Sequence, residues 1–141
     1  MISCDGDNIV MYSKYEDRLV IKKGISMVHQ DSQEFYMNEI HYQTLLSEID
    51  IAPKILKKDI KEDNFMYWIS EDAGLPIEEC DIPDANRLLD IVYDMGIIIN
   101  WRPHMSHFVK GFDDKIRVTD LKYTEKYDEP IKKCNRRYLI N

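Results

Sequence analysis

Apolar side chains in the first fifty positions change their spacing once, and that change limits the folds open to the chain. Residues 8–13 and 18–23 alternate apolar with polar side chains, and residues 14–17 are polar enough to turn between them. A period of two marks strands with one covered face, so this stretch predicts an antiparallel hairpin. Asp5-Gly6 is a turn pair that would join a short leading strand to it. From Asp31 the spacing lengthens. Asp31 is a good N-cap type, and Glu34 follows three positions later, close to a capping box. Phe35, Glu39, Tyr42, Leu46 and Ile49 then step by four, three, four and three, one stripe of a helix.

Pro53 stops that helix from continuing. Residues 54–60 and 64–70 read as two further strands around a polar turn at 61–63. Residues 71–83, rich in Pro, Gly and acid, form the hinge between two halves of a single domain, 1–70 and 84–141. Asp84 can cap a second helix, on which Ala85, Leu88, Leu89, Val92 and Met95 recur at helical spacing and Gly96 stands at the end. A loop at 100–106 leads to a hairpin with arms 107–110 and 115–120 and Gly111-Phe112-Asp113-Asp114 at its turn. The order is strands, helix, strands, hinge, helix, hairpin. It predicts an α+β fold with an antiparallel sheet.

Charge and composition narrow the function classes. The chain has 141 residues, 44% of them hydrophobic, enough for one domain with a real core. Its net charge of -7 argues against a broad grip on nucleic acid, which needs cations to replace counterions. The densest apolar stretch, Met95 to Trp101, is far too short for a membrane span. The first residues, Met-Ile-Ser-Cys-Asp-Gly-Asp, have no signal-peptide pattern. Cys4, Cys80 and Cys134 are scattered, which fits reduced thiols in a cytoplasmic setting.

Glu39 stands out because it falls on the stripe that the apolar residues bury. A buried carboxylate needs a partner, since an unpaired charge costs several kcal/mol to order of magnitude. On the preceding strand Val20 and Lys22 share one face, and Leu19, Ile21 and Lys23 the other. A Lys22–Glu39 pair is the contact expected.

With that pair in place, the element order resembles a protein-kinase-like fold from about residue 8 to residue 122. Leu19-Val20-Ile21-Lys22 resembles the strand whose Lys binds the α- and β-phosphates, and Glu39 resembles its helix partner. Ile51-Ala52-Pro53-Lys54-Ile55-Leu56 is similar to the approach to the fourth strand in small atypical and microbial lipopolysaccharide-type kinases. Residues 69–77, Ile-Ser-Glu-Asp-Ala-Gly-Leu-Pro-Ile, resemble their hinge. Gly96-Ile97-Ile98 resembles the opening of the catalytic loop, and Ile116-Arg117-Val118-Thr119-Asp120 the strand that leads to the metal-binding Asp. The resemblance implies Lys22, Glu39, Glu71, Ala73 and Asp120 as nucleotide-binding candidates, Asp120 as the metal candidate, and ATP with Mg²⁺ as the ligands.

The same resemblance exposes departures. The family's catalytic loop reads like His-Gly-Asp-x-x-x-x-Asn; anchored on Phe108, this chain has Arg102 at the Asp and His107 at the Asn. A guanidinium, with a pKa above about 12, accepts no proton at neutral pH. Histidine is a poor Mg²⁺ ligand. A glycine-rich loop is missing, Leu121-Lys122 follows Asp120 in place of Phe-Gly, and the chain leaves little length for a helical substrate platform. The resemblance therefore implies a pseudokinase-type protein that binds another protein, such as a host kinase or regulator, in the manner of a phage or viral decoy. Two other readings stay open: a small atypical ATP-dependent kinase with a non-standard loop, and an α+β binding module unrelated to kinases.

Other constellations point to less. His104 and His107 have a ligand-like spacing but lack two further zinc ligands nearby in sequence. Lys132, Lys133, Arg136 and Arg137 read as the solvated face of a terminal segment. Tyr67 and Trp68 read as core residues of a strand, and Cys80 and Cys134 lack neighbours that would activate a thiol.

Overall fold

Tyr15 and Arg18 pair across a two-residue turn in which Glu16 and Asp17 both take positive φ, 50° and 64°. Such a turn matches the twist of antiparallel strands and fixes their register. This hairpin belongs to a computed structural model that describes residues 3–4 and 7–140. The Asp5-Gly6 turn lies outside the described residues. The chain divides into two compact units, Met1–Asp72 and Ala73–Asn141.

The first unit is a five-stranded antiparallel sheet with one helix. Its elements are β1 (Ser3–Cys4), β2 (Asn8–Tyr15), β3 (Arg18–Ser26), α1 (Ser32–Ser47), β4 (Ile55–Glu62) and β5 (Phe65–Glu71). The strand order is β1-β2-β3-β5-β4. Strands and helix meet in a core of Ile25, Tyr36, Ile40 and Trp68, flanked by Met27, Phe35, Ile55 and Met66. The indole N–H of Trp68 donates to Gln43 Oε1 at 3.0 Å, and Gln43 Nε2 donates to Pro53 O and Ser70 Oγ, both at 2.8 Å. Every polar end of this buried amide is satisfied, so it fixes α1 on β5 without leaving a buried polar group unpaired.

Several local expectations for this unit are corrected. β2 and β3 run two to three residues further than the alternation indicated, because pairing continues past the alternating stretch. Asp31 occupies the N-cap of α1 with helical backbone angles and no side-chain cap bond; Ser32 Oγ instead accepts the His29 N–H at 3.2 Å. The buried face is Tyr36, Glu39, Ile40, Tyr42, Gln43 and Leu46, whereas Phe35 is half-buried and Ile49 lies beyond the helix end, exposed. β4 is bulged twice, and Asp59 takes φ 60° there. The Tyr36 hydroxyl holds that kink, donating to Asp59 Oδ1 at 2.8 Å and accepting the Asp59 N–H at 2.7 Å.

The second unit packs small sheets around one helix. It contains β6 (Leu75–Pro76), α2 (Ile82–Asp94), β7 (Ile97–Ile98), β8 (Phe108–Lys110), β9 (Ile116–Val118) and β10 (Glu125–Lys126), with 3-10 turns at Glu79–Asp81, Met105–His107 and Lys133–Asn135. β6, β8 and β9 form one antiparallel sheet, and β7 pairs with β10. Two-residue strands carry no periodic signal, so the sequence does not predict the β6 and β7–β10 pairings. α2 buries Ala85, Leu88, Leu89 and Val92 as its spacing predicts. Gly96 ends it at φ +78°, where an added Cβ would meet the backbone oxygens of Tyr127 and Glu129.

α2 starts earlier than the expected Asp84 cap. Asp81 is the N-cap and Pro83 lies in the first turn, where a missing N–H costs nothing. Asp84 instead pairs with Arg87 one turn on. The Asp81 carboxylate accepts the Glu78 N–H at 3.0 Å and pairs with Lys110 at 2.9 Å, which together hold its pKa below the usual carboxylate range.

The terminal basic cluster is also corrected. Arg136 is buried, not solvated. Its guanidinium donates to Asp90 at 2.9 Å and Asp94 at 2.7 Å, one turn apart on α2, and its Nε donates to Ile131 O at 2.9 Å. The tail is bonded along α2 at further points: Ile131 N–H to Tyr93 O, the Tyr93 hydroxyl to Arg137 O and from the Arg137 N–H, the Tyr138 hydroxyl to Asp90, and Asn86 to both Leu139 N–H and Leu139 O. Lys132, Lys133 and Arg137 remain exposed.

Candidate functional site

Strand alternation decides which lysine faces α1. On β3, Ile25 packs with Tyr36, Ile40 and Trp68, so Ile21, Lys23 and Ile25 share the helix-facing side. Lys22 points to the other side, with its ammonium 4.6 Å from the Tyr67 ring centroid. There it binds the Glu62 carboxylate at 2.9 and 3.1 Å. The expected Lys22–Glu39 pair is therefore not formed: a strand shows successive side chains to opposite faces, and Glu39 lies behind the face that Lys22 does not share. Glu39 is 4% exposed, as its place on the stripe implied, and it is not without a partner. Lys23, opposite Trp68, is the lysine of β3 that shares the helix-facing side with Ile21 and Ile25.

Lys22, Glu39 and Glu71 belong to the first unit, and Ala73, Arg102, His107 and Asp120 to the second. Glu71 closes β5 opposite Val20, and its N–H donates to Lys54 O at 2.9 Å. Ala73 opens the second unit just before Gly74, which takes φ +122°.

In the second unit the β8–β9 hairpin brings two candidates together. Phe108 pairs with Val118, and the next rung out is the Thr119 N–H donating to His107 O at 2.9 Å. Asp120 follows immediately, close enough for its charge to act on the His107 ring. Burial pushes the His107 pKa below 6.5; His104 and Lys122 push the same way, and Asp120 opposes them. His107 Nδ1 accepts the His104 N–H at 3.1 Å. A neutral imidazole used this way carries its proton on Nε2, so neither nitrogen offers a free lone pair. His104 Nδ1 likewise accepts the Ser106 N–H at 3.1 Å and lies 2.9 Å from Ser106 Oγ. Among the described residues, no three His, Cys, Asp or Glu side chains converge to hold a metal ion.

Arg102 sits on the exposed rim of this loop. Its N–H donates to Asn100 Oδ1 at 2.9 Å, and its guanidinium has no partner among the described residues. Trp101 beside it is 48% exposed, and its indole N–H donates to Glu125 Oε2 at 3.3 Å. The Tyr127 hydroxyl donates to the same oxygen at 2.5 Å. Sequence reasoning overlooked Glu125 and Tyr127 because the β7–β10 pairing, not proximity in sequence, brings them to the loop. Cys80 and Cys134 are exposed free thiols. Among the described residues, no helix is long and apolar enough to cross a membrane.

No protein-family model matches the sequence, and no curated protein matches it either.

Proposed function

We propose that the chain is a degenerate kinase-like protein that works by binding another protein and transfers no phosphate. The observation that carries this reading is the loop at 100–107. Where the kinase-like order calls for a carboxylate base, a solvent-facing guanidinium stands. Where it calls for an oxygen ligand to Mg²⁺, there is an imidazole with Nδ1 already engaged. Phosphoryl transfer rests on positioning and on metal neutralisation of charge, and both need those groups. The five-stranded order β1-β2-β3-β5-β4 with one helix, and a buried Glu39 on it, supports the kinase-like part of the reading. Of the two lysines on β3, Lys23 is on the side facing the helix that carries Glu39, so we propose it for the role that the resemblance implies for Lys22. The binding partner is a kinase or regulatory protein of a host, met in the cytoplasm, with the chain serving as a phage- or viral-type decoy.

The test is transfer of labelled γ-phosphate from ATP with Mg²⁺, by the full chain, to itself or to a general protein substrate. No transfer is expected, with or without Asp120→Asn. Transfer that Asp120→Asn abolishes would overturn the reading in favour of a small atypical kinase.

A further inference from the structure

Trp101 and Arg102 stand side by side on a loop that is tied at every turn. Asn100 Oδ1 holds the Arg102 N–H, Glu125 holds the Trp101 indole, and the two histidine rings accept the His104 and Ser106 N–H groups. Thr119 fastens the loop's last residue to β9. A loop held in this way loses little entropy when it binds. Yet the two side chains it presents remain in water: Trp101 is 48% exposed and Arg102 is exposed with no ion partner among the described residues. Tyr127, 43% exposed, shares the Glu125 oxygen with Trp101 and extends the aromatic surface. Trp, Tyr and Arg are the residues that dominate protein interfaces when they are buried by a partner.

We infer that Trp101, Arg102 and Tyr127 form the docking surface for an acidic segment of a partner protein, with an apolar side chain on Trp101 and a carboxylate on Arg102. This rests on the binding part of the reading above and not on kinase descent. Charge decides the occupant. The Arg102 guanidinium matches one carboxylate in a paired, two-bond contact, and Lys126, whose ammonium lies 3.4 Å from Tyr127 O, adds one further positive charge for an acidic segment. A phosphate group or a nucleic-acid backbone asks for several clustered cations. Here the Glu125 carboxylate accepts the Trp101 indole N–H, and the whole chain carries -7. A dianion would meet about twice the repulsion that a single carboxylate meets at this spot.

The experiment is selection of random twelve-residue displayed peptides on the full chain, with measured affinities for the winners. Enriched peptides are expected to carry Asp or Glu beside a large apolar residue. Their affinity should fall at least tenfold on Trp101→Ala and on Arg102→Glu, with circular dichroism unchanged. Replacing the peptide's acid with Arg should restore binding to Arg102→Glu, and Arg102→Lys should retain only part of it. Peptides that bind the variants equally, peptides without acid, or no enrichment at all would overturn the proposal. So would an oligonucleotide that binds the loop more tightly than the peptides do. None of those failures would bear on whether the chain transfers phosphate.

Discussion

The Lys22 ammonium lies 2.9 Å from Glu62 Oε1, on the side of the sheet that Glu39 does not share. Glu62 is about half exposed and Lys22 partly so, which makes this a solvent-screened pair. Lys22→Ala should therefore cost about 1 kcal/mol and at most about 2, including its contact with the Tyr67 ring. Glu39→Ala removes a buried polar side chain that is not without a partner and should cost more, about 1–3 kcal/mol for the group left unsatisfied. Lys23→Ala should cost clearly more than Lys22→Ala. Urea unfolding of the three variants checks the order, and equal losses for both lysines would undo the facial assignment.

Arg136 anchors the tail to α2. Its side chain is 6% exposed, while Asp90 and Asp94 reach water. Arg136→Ala should cost about 3 kcal/mol, the low end for a broken buried pair because both acids can resolvate. Arg136→Lys, which keeps the charge but loses the fork, should fall between. Hydrogen exchange at the Ile131, Arg137 and Leu139 amides reads the tail directly. Their protection should drop before that of the amides within α2.

Two groups of the second unit set an acid-side limit on stability. His107 is held neutral in the fold by burial, so its pKa lies below 6.5. Below about pH 6.5 the unfolded chain binds more protons at this residue than the native chain, and stability falls as pH drops. Asp113 is held at about 2 by the Arg117 guanidinium and the Lys115 N–H. Its share of stability is complete above the unfolded value of 3.8 and is lost as pH falls towards 2. A melting curve measured from pH 8 to pH 2 should show both declines. His107→Gln should remove the upper one alone, and Asp113→Asn should shrink the lower one.

The β2–β3 turn carries a removable penalty. Asp17 holds φ 64°, a left-handed conformation that costs a residue with a Cβ about 1 kcal/mol. Asp17→Gly should raise Tm by a few degrees. A fall in Tm would mean that the Asp17 side chain holds the turn through contacts worth more than the backbone strain.

Periodicity by itself determined the α+β class, the hairpin at each end of the element order, and α2 with its buried Ala85, Leu88, Leu89 and Val92. It also put Glu39 on a buried stripe, because a helix spaces its faces the same way whatever packs on them. It could not choose between Lys22 and Lys23. Adjacent strand residues face opposite ways, so one slip in the assumed face exchanges them, and only packing of Ile25 against Trp68 decides. Tertiary structure alone brought Arg136 to Asp90 and Asp94 and tied Trp101 and Tyr127 to Glu125. The acidic partners of Arg136 and Trp101 lie between twenty-four and forty-six positions away along the chain. Local sequence pattern encodes the shape of each segment, and long-range ion pairs and hydrogen bonds form only once the segments meet.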